Sequence, residues 1–138
     1  MSTTENEALV RRYWEEAWSK ADLQVIDEFY MPTFIHDNGQ TLTTERFKRR
    51  ITSTRTTFPD FNITVDDLFS AGENRVVSRV TYTGTMLGSS GSTAPTGKMA
   101  KFTGIDIFHF QDGKVVEHWH EADHESMLEQ LGLMPEAT

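Results

Sequence analysis

The most informative stretch of this 138-residue sequence lies near its carboxyl end, where residues 102–123 read FTGIDIFHFQDGKVVEHWHEAD. Apolar and polar side chains alternate on both sides of Gln111-Asp112-Gly113. Alternation with a period of two is typical of half-buried strands, and Asp-Gly between two such runs indicates a hairpin. The segment therefore predicts two long antiparallel strands, from Met99 to Phe110 and from Lys114 to about Ala122.

The turn of this hairpin determines which side chains share a face, and two turns are compatible with the sequence. A two-residue turn at Asp112-Gly113 would set His109 opposite Val116 and put Asp123 on the other face. A three-residue loop would set His109 opposite Val115. We favour the longer loop, because a type I turn followed by a bulge requires glycine at the third loop position. One face then carries Ile105, Ile107, His109, Val115, Glu117, Trp119, Glu121 and Asp123.

Helical periodicity comes first in the chain and strand periodicity follows. Thr4 and Glu7 have the spacing of a capping box, and Thr43 or Thr44 is expected to open a later helix. From about residue 61 onward the apolar period is two, and a last helix is predicted up to Leu131. This order indicates an α+β fold, with the helices over the concave face of a curved sheet. We expect one domain, residues 1–138, that encloses an apolar pocket.

Composition excludes several classes of function. A net charge of −8 argues against nucleic acid as a partner, because phosphates require a basic surface. No stretch has the roughly 20 apolar residues of a membrane span, and the first residues lack the pattern of a signal peptide. The chain has no cysteine, which excludes thiolate chemistry and suits a cytoplasmic protein.

The favoured turn would bring His109 and Asp123 together in an aromatic-walled space. A carboxylate in an apolar pocket can move protons near neutral pH, and neither a metal nor another cofactor is then needed. Asp123 also precedes a predicted helix, so the alternative is an N-cap with Ser126 at the third helical position, which spacing alone favours. We expect surface positions for His118, His120 and His124, and no metal site.

Several short motifs, taken in order along the chain, resemble the SnoaL-like polyketide cyclase family, within the nuclear-transport-factor-2-like (cystatin-like) superfamily. These motifs are Trp18 before Asp22, Phe58-Pro59-Asp60, Thr83-Gly84-Thr85, Pro95-Thr96-Gly97-Lys98, the run from Asp112 to Trp119 with Asp123, and Glu129-Gln130-Leu131-Gly132. The resemblance implies a cone-like α+β barrel with a deep apolar cavity. It also implies homodimers or homotetramers that assemble through the sheet.

The resemblance further implies the chemistry. Family cyclases close the last ring of an aromatic polyketide by intramolecular aldol condensation without a cofactor. The acid/base aspartate of the family falls on Asp123 and its assisting histidine on His109. Asp123 would remove a proton between two carbonyls, and His109 would stabilise the alkoxide that forms. The residues expected to contact the small apolar substrate are His36, Trp119, Trp18, Tyr13, Met86 and Phe58.

Other functions on the same scaffold stay open. They are isomerisation, dehydration, hydrolysis, hydroxylation, and non-catalytic binding of a small molecule or dimerisation. An isomerase would need a tyrosine donor opposite the carboxylate, and Tyr13, Tyr30 or Tyr82 could serve. The Arg-x-Asp step of the epoxide hydrolases in the superfamily does not occur in the sequence, which counts against that reaction.

Overall fold

The computed structural model describes residues 2–36 and 39–134. The helical elements are α1 (Thr3–Arg12), a π-helical segment that continues it (Tyr13–Trp18), α2 (Gln24–Phe29), α3 (Thr44–Thr57) and α4 (His124–Leu131). The strands are β1 (Tyr30–His36), β2 (Gln40–Thr43), β3 (Asn62–Ser70), β4 (Arg75–Thr85), β5 (Met99–Gln111) and β6 (Lys114–Ala122).

The six strands form one curved sheet in the order β2-β1-β6-β5-β4-β3. Neighbouring strands are antiparallel, except that β1 and β6 run parallel. The helices pack against one face of this sheet, which we call the inner face, and the opposite face is the outer face. The predicted α+β fold is confirmed, with a parallel pair that alternation along single strands did not indicate.

Aromatic side chains join the helical layer to the sheet. Tyr13 stacks on Phe29 with 4.4 Å between ring centroids and meets Phe108 of β5 edge-on at 5.5 Å. Trp14 is buried, and its Nε1 donates to Ser78 Oγ of β4 at 3.0 Å. π-Helical turns are frequent at functional sites. The inward position of Tyr13 and Trp14 therefore indicates that a functional site lies at the adjoining inner face.

Helix starts follow the expected chemistry, with one shift in position. The capping box of α1 consists of Ser2 and Glu5, with Glu5 N donating to Ser2 Oγ at 3.1 Å, so the predicted pair Thr4 and Glu7 is two residues late. Both pairs have the same spacing, and the earlier one lets the helix begin sooner. Thr43 caps α3, as one of the two predicted positions. Its Oγ1 accepts from Arg46 N at 3.1 Å.

Within the described ranges, no helix has both the length and the apolar character of a membrane span.

The hairpin of β5 and β6 turns through two residues. Asp112 and Gly113 have φ angles of 52° and 80°, and positive values at both positions are what a type I′ turn requires. Phe110 pairs with Val115, so the predicted three-residue loop is wrong. The short turn is favoured because its twist matches that of the flanking strands.

A bulge at Val116 follows this turn, and it changes the faces again. His109 pairs with Glu117 rather than with Val116. The residues that share a face are then Ile105, Ile107, His109, Glu117, Trp119 and Glu121, as predicted, but without Val115. This face is the outer one, on which Ile105 is 52% exposed. The inner face of the hairpin carries Asp106, Phe108, Phe110, Val115, His118 and His120.

Candidate active site

A cavity of about 370 Å³ lies between the helical layer and the inner face of the sheet. This volume falls within the range of roughly 300–1,000 Å³ that is usual for ligand pockets. Much of its wall is aromatic and comes from the π-helical segment, α3 and the residues after α3: Tyr13, Trp14, Trp18, Phe47, Phe58 and Phe61. Such walls suit a flat, largely apolar ligand and strengthen electrostatic interactions inside the cavity.

Three titratable side chains meet on the sheet side of the cavity. Asp106 of β5 is fully buried, and its Oδ2 lies 2.5 Å from His118 Nε2 and 2.9 Å from His120 Nδ1, both on β6. Asp106 pairs with His120 across the hairpin, and the period of two sets His118 on the same face. The His118 side chain is 1% exposed and that of His120 is 25% exposed. A ligand therefore reaches His120 more readily than His118.

A row of hydroxyl groups continues from this cluster into the core. Tyr30 Oη lies 2.8 Å from His118 Nδ1 and 3.0 Å from Tyr13 Oη. Burial raises the pKa of both tyrosine hydroxyls well above their ordinary value, so both are neutral at pH 7. The row fixes the ring of His118 from the side opposite Asp106, because each hydroxyl can donate one hydrogen bond and accept others.

The Asp106 carboxyl group is ionised at neutral pH in spite of its burial. Burial alone would raise its pKa, but hydrogen bonds and charge from His118 and His120 outweigh that effect and hold the pKa below its ordinary value. A carboxylate that accepts from an imidazole orients the ring and stabilises a proton on it. The cluster can therefore take a proton from a ligand and return it.

The same three residues are also ligand types for a divalent cation. One oxygen or nitrogen atom from each of Asp106, His118 and His120 lies within 4.8 Å of the others. A tetrahedral ion about 2.1 Å from each ligand would hold the ligand atoms about 3.4 Å apart. The two contacts to Asp106 are shorter and are hydrogen bonds, so an ion would have to replace both. The arrangement suits proton transfer better than metal binding.

Comparison with known proteins identifies the family. Residues 8–131 match the model of the SnoaL-like polyketide cyclases, a span that contains all six strands and the Asp106 cluster. The chain belongs to the SnoaL-like polyketide cyclase family. The resemblance expected from the motifs is thus confirmed. No curated protein matches the chain significantly.

Solved structures of other proteins share this fold. AclR from Streptomyces galilaeus, a proposed hydroxylase, is 29% identical with a TM-score of 0.84, and the match covers 99% of this chain and 87% of AclR. IdmH from Streptomyces antibioticus, a proposed polyketide cyclase, is 27% identical with a TM-score of 0.79, over 92% of this chain and 98% of IdmH. TsrD from Streptomyces laurentii is 25% identical with a TM-score of 0.86, over 97% of this chain and 99% of TsrD. The expected nuclear-transport-factor-2-like α+β fold is confirmed.

The residues onto which the family acid/base pair falls do not face the cavity, so that expectation is wrong. Asp123 is exposed and caps α4, where its Oδ1 accepts from Ser126 N at 3.0 Å, the alternative that spacing favoured. His109 lies on the outer face, and its Nδ1 is 4.0 Å from Glu117 Oε1. The reason is the alternation along β5, which turns Phe108 and Phe110 toward the helices and His109 away from them. The bulge at Val116 sets Glu117 on the same outer side as His109. The catalytic role of Asp123 and His109 stays a prediction that this placement does not support.

Of the six predicted substrate contacts, four line the cavity, namely Tyr13, Trp18, His36 and Phe58. The aromatic residues among them pack in the hydrophobic core and also line the cavity. Met86 is instead buried in a separate apolar cluster with Ala100 and Leu131 of α4. Trp119 is 37% exposed on the outer face. Neither Met86 nor Trp119 is among the described residues that line the cavity.

The sequence-based reasoning missed Asp106 and expected surface positions for His118 and His120, which is wrong. His118 is 2% exposed. His124, the third histidine of that group, is exposed as expected, although it also lines the cavity. A signal was present, because Asp106 shares its alternating face with Phe108. A carboxylate on the more aromatic face of a hairpin requires buried partners, and histidines on the neighbouring strand can supply them.

Proposed function

We propose that this protein catalyses an intramolecular aldol-type ring closure on an aromatic, polyketide-like carbonyl compound. The observation that carries the proposal is the buried Asp106 carboxylate, hydrogen-bonded to His118 and His120 in an aromatic-walled cavity. Family membership supports the reaction class, and IdmH is itself a proposed polyketide cyclase. The reaction moves protons and forms one carbon–carbon bond, so it consumes no cofactor.

His120 is the group that we expect to exchange a proton with the substrate. Its Nδ1 contacts Asp106, so Nε2 is the ring nitrogen that acts as the base. A CH₂ group between two carbonyls gives a proton to Nε2, and the carbanion that forms attacks the carbon of a ketone in the same molecule. The ketone oxygen then takes the proton from His120, which restores the base and leaves a β-hydroxy ketone.

Asp106 acts through His120 as a positioning residue. Its negative charge stabilises the imidazolium that forms in the first step, and its oxygen selects the tautomer with the proton on Nδ1. His118, hydrogen-bonded to Tyr30 on its other side, holds the carboxylate in place. The aromatic walls contribute separately, because a substrate folded against them brings the carbanion and the ketone together and lowers the entropic barrier.

The test is ring closure of an anthraquinone that carries a β-keto ester side chain next to a ketone, followed by chromatography. His120→Gln should lower kcat about 10²- to 10⁴-fold, the usual contribution of a general acid/base, while the circular dichroism spectrum stays native. His109→Gln makes the same change on the outer face and should leave kcat close to that of the unmodified protein.

Asp123→Asn separates this proposal from the assignment that the family resemblance implied. We expect this variant to keep its turnover, since the exposed Asp123 carboxylate caps a helix. If Asp123→Asn abolished ring closure while His120→Gln kept it, the proposal would be overturned and the acid/base role would return to Asp123.

Hydroxylation is a second candidate, and the likeness to AclR favours it. The same base could deprotonate a hydroquinone-type substrate, whose carbanion adds dioxygen to form a hydroperoxide. Cleavage of the O–O bond leaves a hydroxyl group on the carbon and releases water, and oxidation of the hydroquinone ring to the quinone supplies the two electrons. The product would hold one oxygen atom more and two hydrogen atoms fewer than the substrate, and its formation would require dioxygen. Ring closure adds no oxygen and proceeds under argon, so mass spectrometry of anaerobic and aerobic reactions distinguishes the two. Substrate binding without any turnover would favour the non-catalytic alternative.

We also propose that the outer face joins two copies of the chain. The apolar side chains on this face that are at least one-third exposed include Ile35, Phe69, Met99, Ile105, Ile107 and Trp119. Exposed apolar patches of this kind mark protein–protein contacts. Sedimentation velocity should show a dimer or tetramer, and Ile105→Lys should shift it toward the monomer. A monomeric unmodified protein at micromolar concentration would contradict the proposal.

A further inference from the structure

The buried polar atoms at the cavity that have no hydrogen-bond partner among the described residues include the hydroxyl oxygen of Tyr82 on β4 and Oδ1 of Asp106 on β5. Nε1 of Trp18 is another. Tyr82 is 5% exposed and Asp106 is 0% exposed. A buried polar group without a partner destabilises a protein, because it has lost its hydrogen bonds to water. Such groups in a cavity therefore indicate that a ligand supplies the missing hydrogen bonds.

Gly104 keeps the Tyr82 hydroxyl close to the cluster. A Cβ atom at position 104 would lie 2.8 Å from both Tyr82 Cε2 and Tyr82 Oη, too close for any side chain. Gly104 precedes Asp106 by two positions on β5, so both share the inner face. The Tyr82 ring stacks on Phe102 with 4.8 Å between centroids, which fixes its plane. The hydroxyl of Tyr82 thus lies over Gly104, two positions before Asp106 on the same face of β5.

The two atoms have complementary chemistry. The Asp106 carboxylate only accepts hydrogen bonds, so Oδ1 needs a donor from the ligand. Burial first, and the nearby charge of Asp106 second, raise the pKa of Tyr82 well above its ordinary value, so its hydroxyl keeps its proton. Tyr82 therefore offers a donor to an acceptor on the ligand.

We propose that Tyr82 and Asp106 form a subsite for a ligand hydroxyl that stands next to a carbonyl, as in a phenol beside a quinone or an enolised 1,3-dicarbonyl. The hydroxyl donates to Asp106 Oδ1, and the carbonyl oxygen accepts from Tyr82. This inference rests on the proposed function, because it names the group by which the substrate of that same cavity is recognised. The two oxygens of Asp106 then have separate roles: Oδ2 accepts hydrogen bonds from the imidazoles, and Oδ1 accepts the hydrogen bond from the ligand hydroxyl.

The experiment compares the affinities of 1-hydroxyanthraquinone and unsubstituted anthraquinone at pH 7. Binding is followed through the fluorescence of Trp14 and Trp18, which line the cavity. We expect the hydroxylated compound to bind about tenfold more tightly or better, since a hydrogen bond to a charged group contributes at least that factor. Equal affinities, or no binding of either compound, would overturn the proposal.

Two variants test the residues. Tyr82→Phe keeps the ring contacts and should weaken the binding of both compounds, because each has a carbonyl oxygen that accepts from the Tyr82 hydroxyl. Gly104→Ala should displace the same hydroxyl and weaken both compounds likewise. If neither variant weakens the binding of either compound, the subsite is wrong. These measurements need no turnover, so they can support the subsite even if the ring-closure assay fails. Ring closure together with equal affinities for the two compounds would refute the subsite but not the proposed function.

Discussion

Replacing Asp106 by asparagine removes one buried negative charge and keeps the shape of the side chain. In the unmodified protein Oδ2 takes part in two hydrogen bonds, of 2.5 and 2.9 Å. A hydrogen bond to a charged group contributes about 1.5–3 kcal/mol and a neutral one about 0.5–1.5 kcal/mol, so the two bonds together weaken by about 2–3 kcal/mol. An amide loses less on desolvation than a carboxylate, which offsets part of this. We expect the free energy of unfolding to fall by about 2 kcal/mol at pH 7.

The pH dependence has a definite sign. The folded pKa of Asp106 is below its ordinary value of 3.8, so ionisation of this group stabilises the folded protein. That contribution is fully present above the pKa of the unfolded chain, and it is lost as the pH falls through the folded pKa. The Asp106 charge should therefore contribute a constant amount to the stability difference between the unmodified protein and the Asp106→Asn variant above about pH 4. Below that pH its contribution should decrease.

Urea unfolding followed by circular dichroism measures both effects. Asp67→Asn is the matched control, because Asp67 is exposed on β3 and its replacement should change the free energy of unfolding by less than about 0.5 kcal/mol. If Asp106→Asn changed stability at pH 7 no more than this control does, the carboxylate would not hold the two imidazoles as described.

Three further predictions concern other contacts. Trp14→Phe should lower the free energy of unfolding by about 1–3 kcal/mol, because the buried Ser78 hydroxyl loses its partner, and the added change Ser78→Ala should recover part of it. Gly88→Ala should destabilise by about 1–3 kcal/mol or more, since its Cβ would lie 2.1 Å from Thr56 O. An unchanged melting temperature would contradict this contact. Asp123→Ala should remove a helix cap, lower stability by about 1 kcal/mol in a urea titration, and leave ring closure intact.

Local features of the fold could be predicted because they depend on neighbouring residues only. A period of two over residues 102–123 is enough to predict the two long strands, and Thr43 before a helical pattern is enough to predict a cap. The capping box begins at Ser2 rather than at Thr4, and the sequence could not distinguish the two positions because both are followed by a glutamate at the same spacing. The aromatic residues of the cavity wall, such as Tyr13 and Trp18, could be predicted as inward-facing but not as a wall around a space of a particular size.

What the sequence by itself determined is the order of elements, the family and most of the hairpin residues that share a face, though not Val115. Which face of the β5–β6 hairpin lies under the helices was decided only by the tertiary structure. Both faces carry large apolar side chains, with Ile105 on one and Phe108 on the other, so hydrophobicity does not distinguish them. One bulged residue, Val116, and the packing of the helices against Phe108 settle the choice. Because side chains alternate across a strand, that choice turns Asp106 and His120 inward and leaves His109 outside.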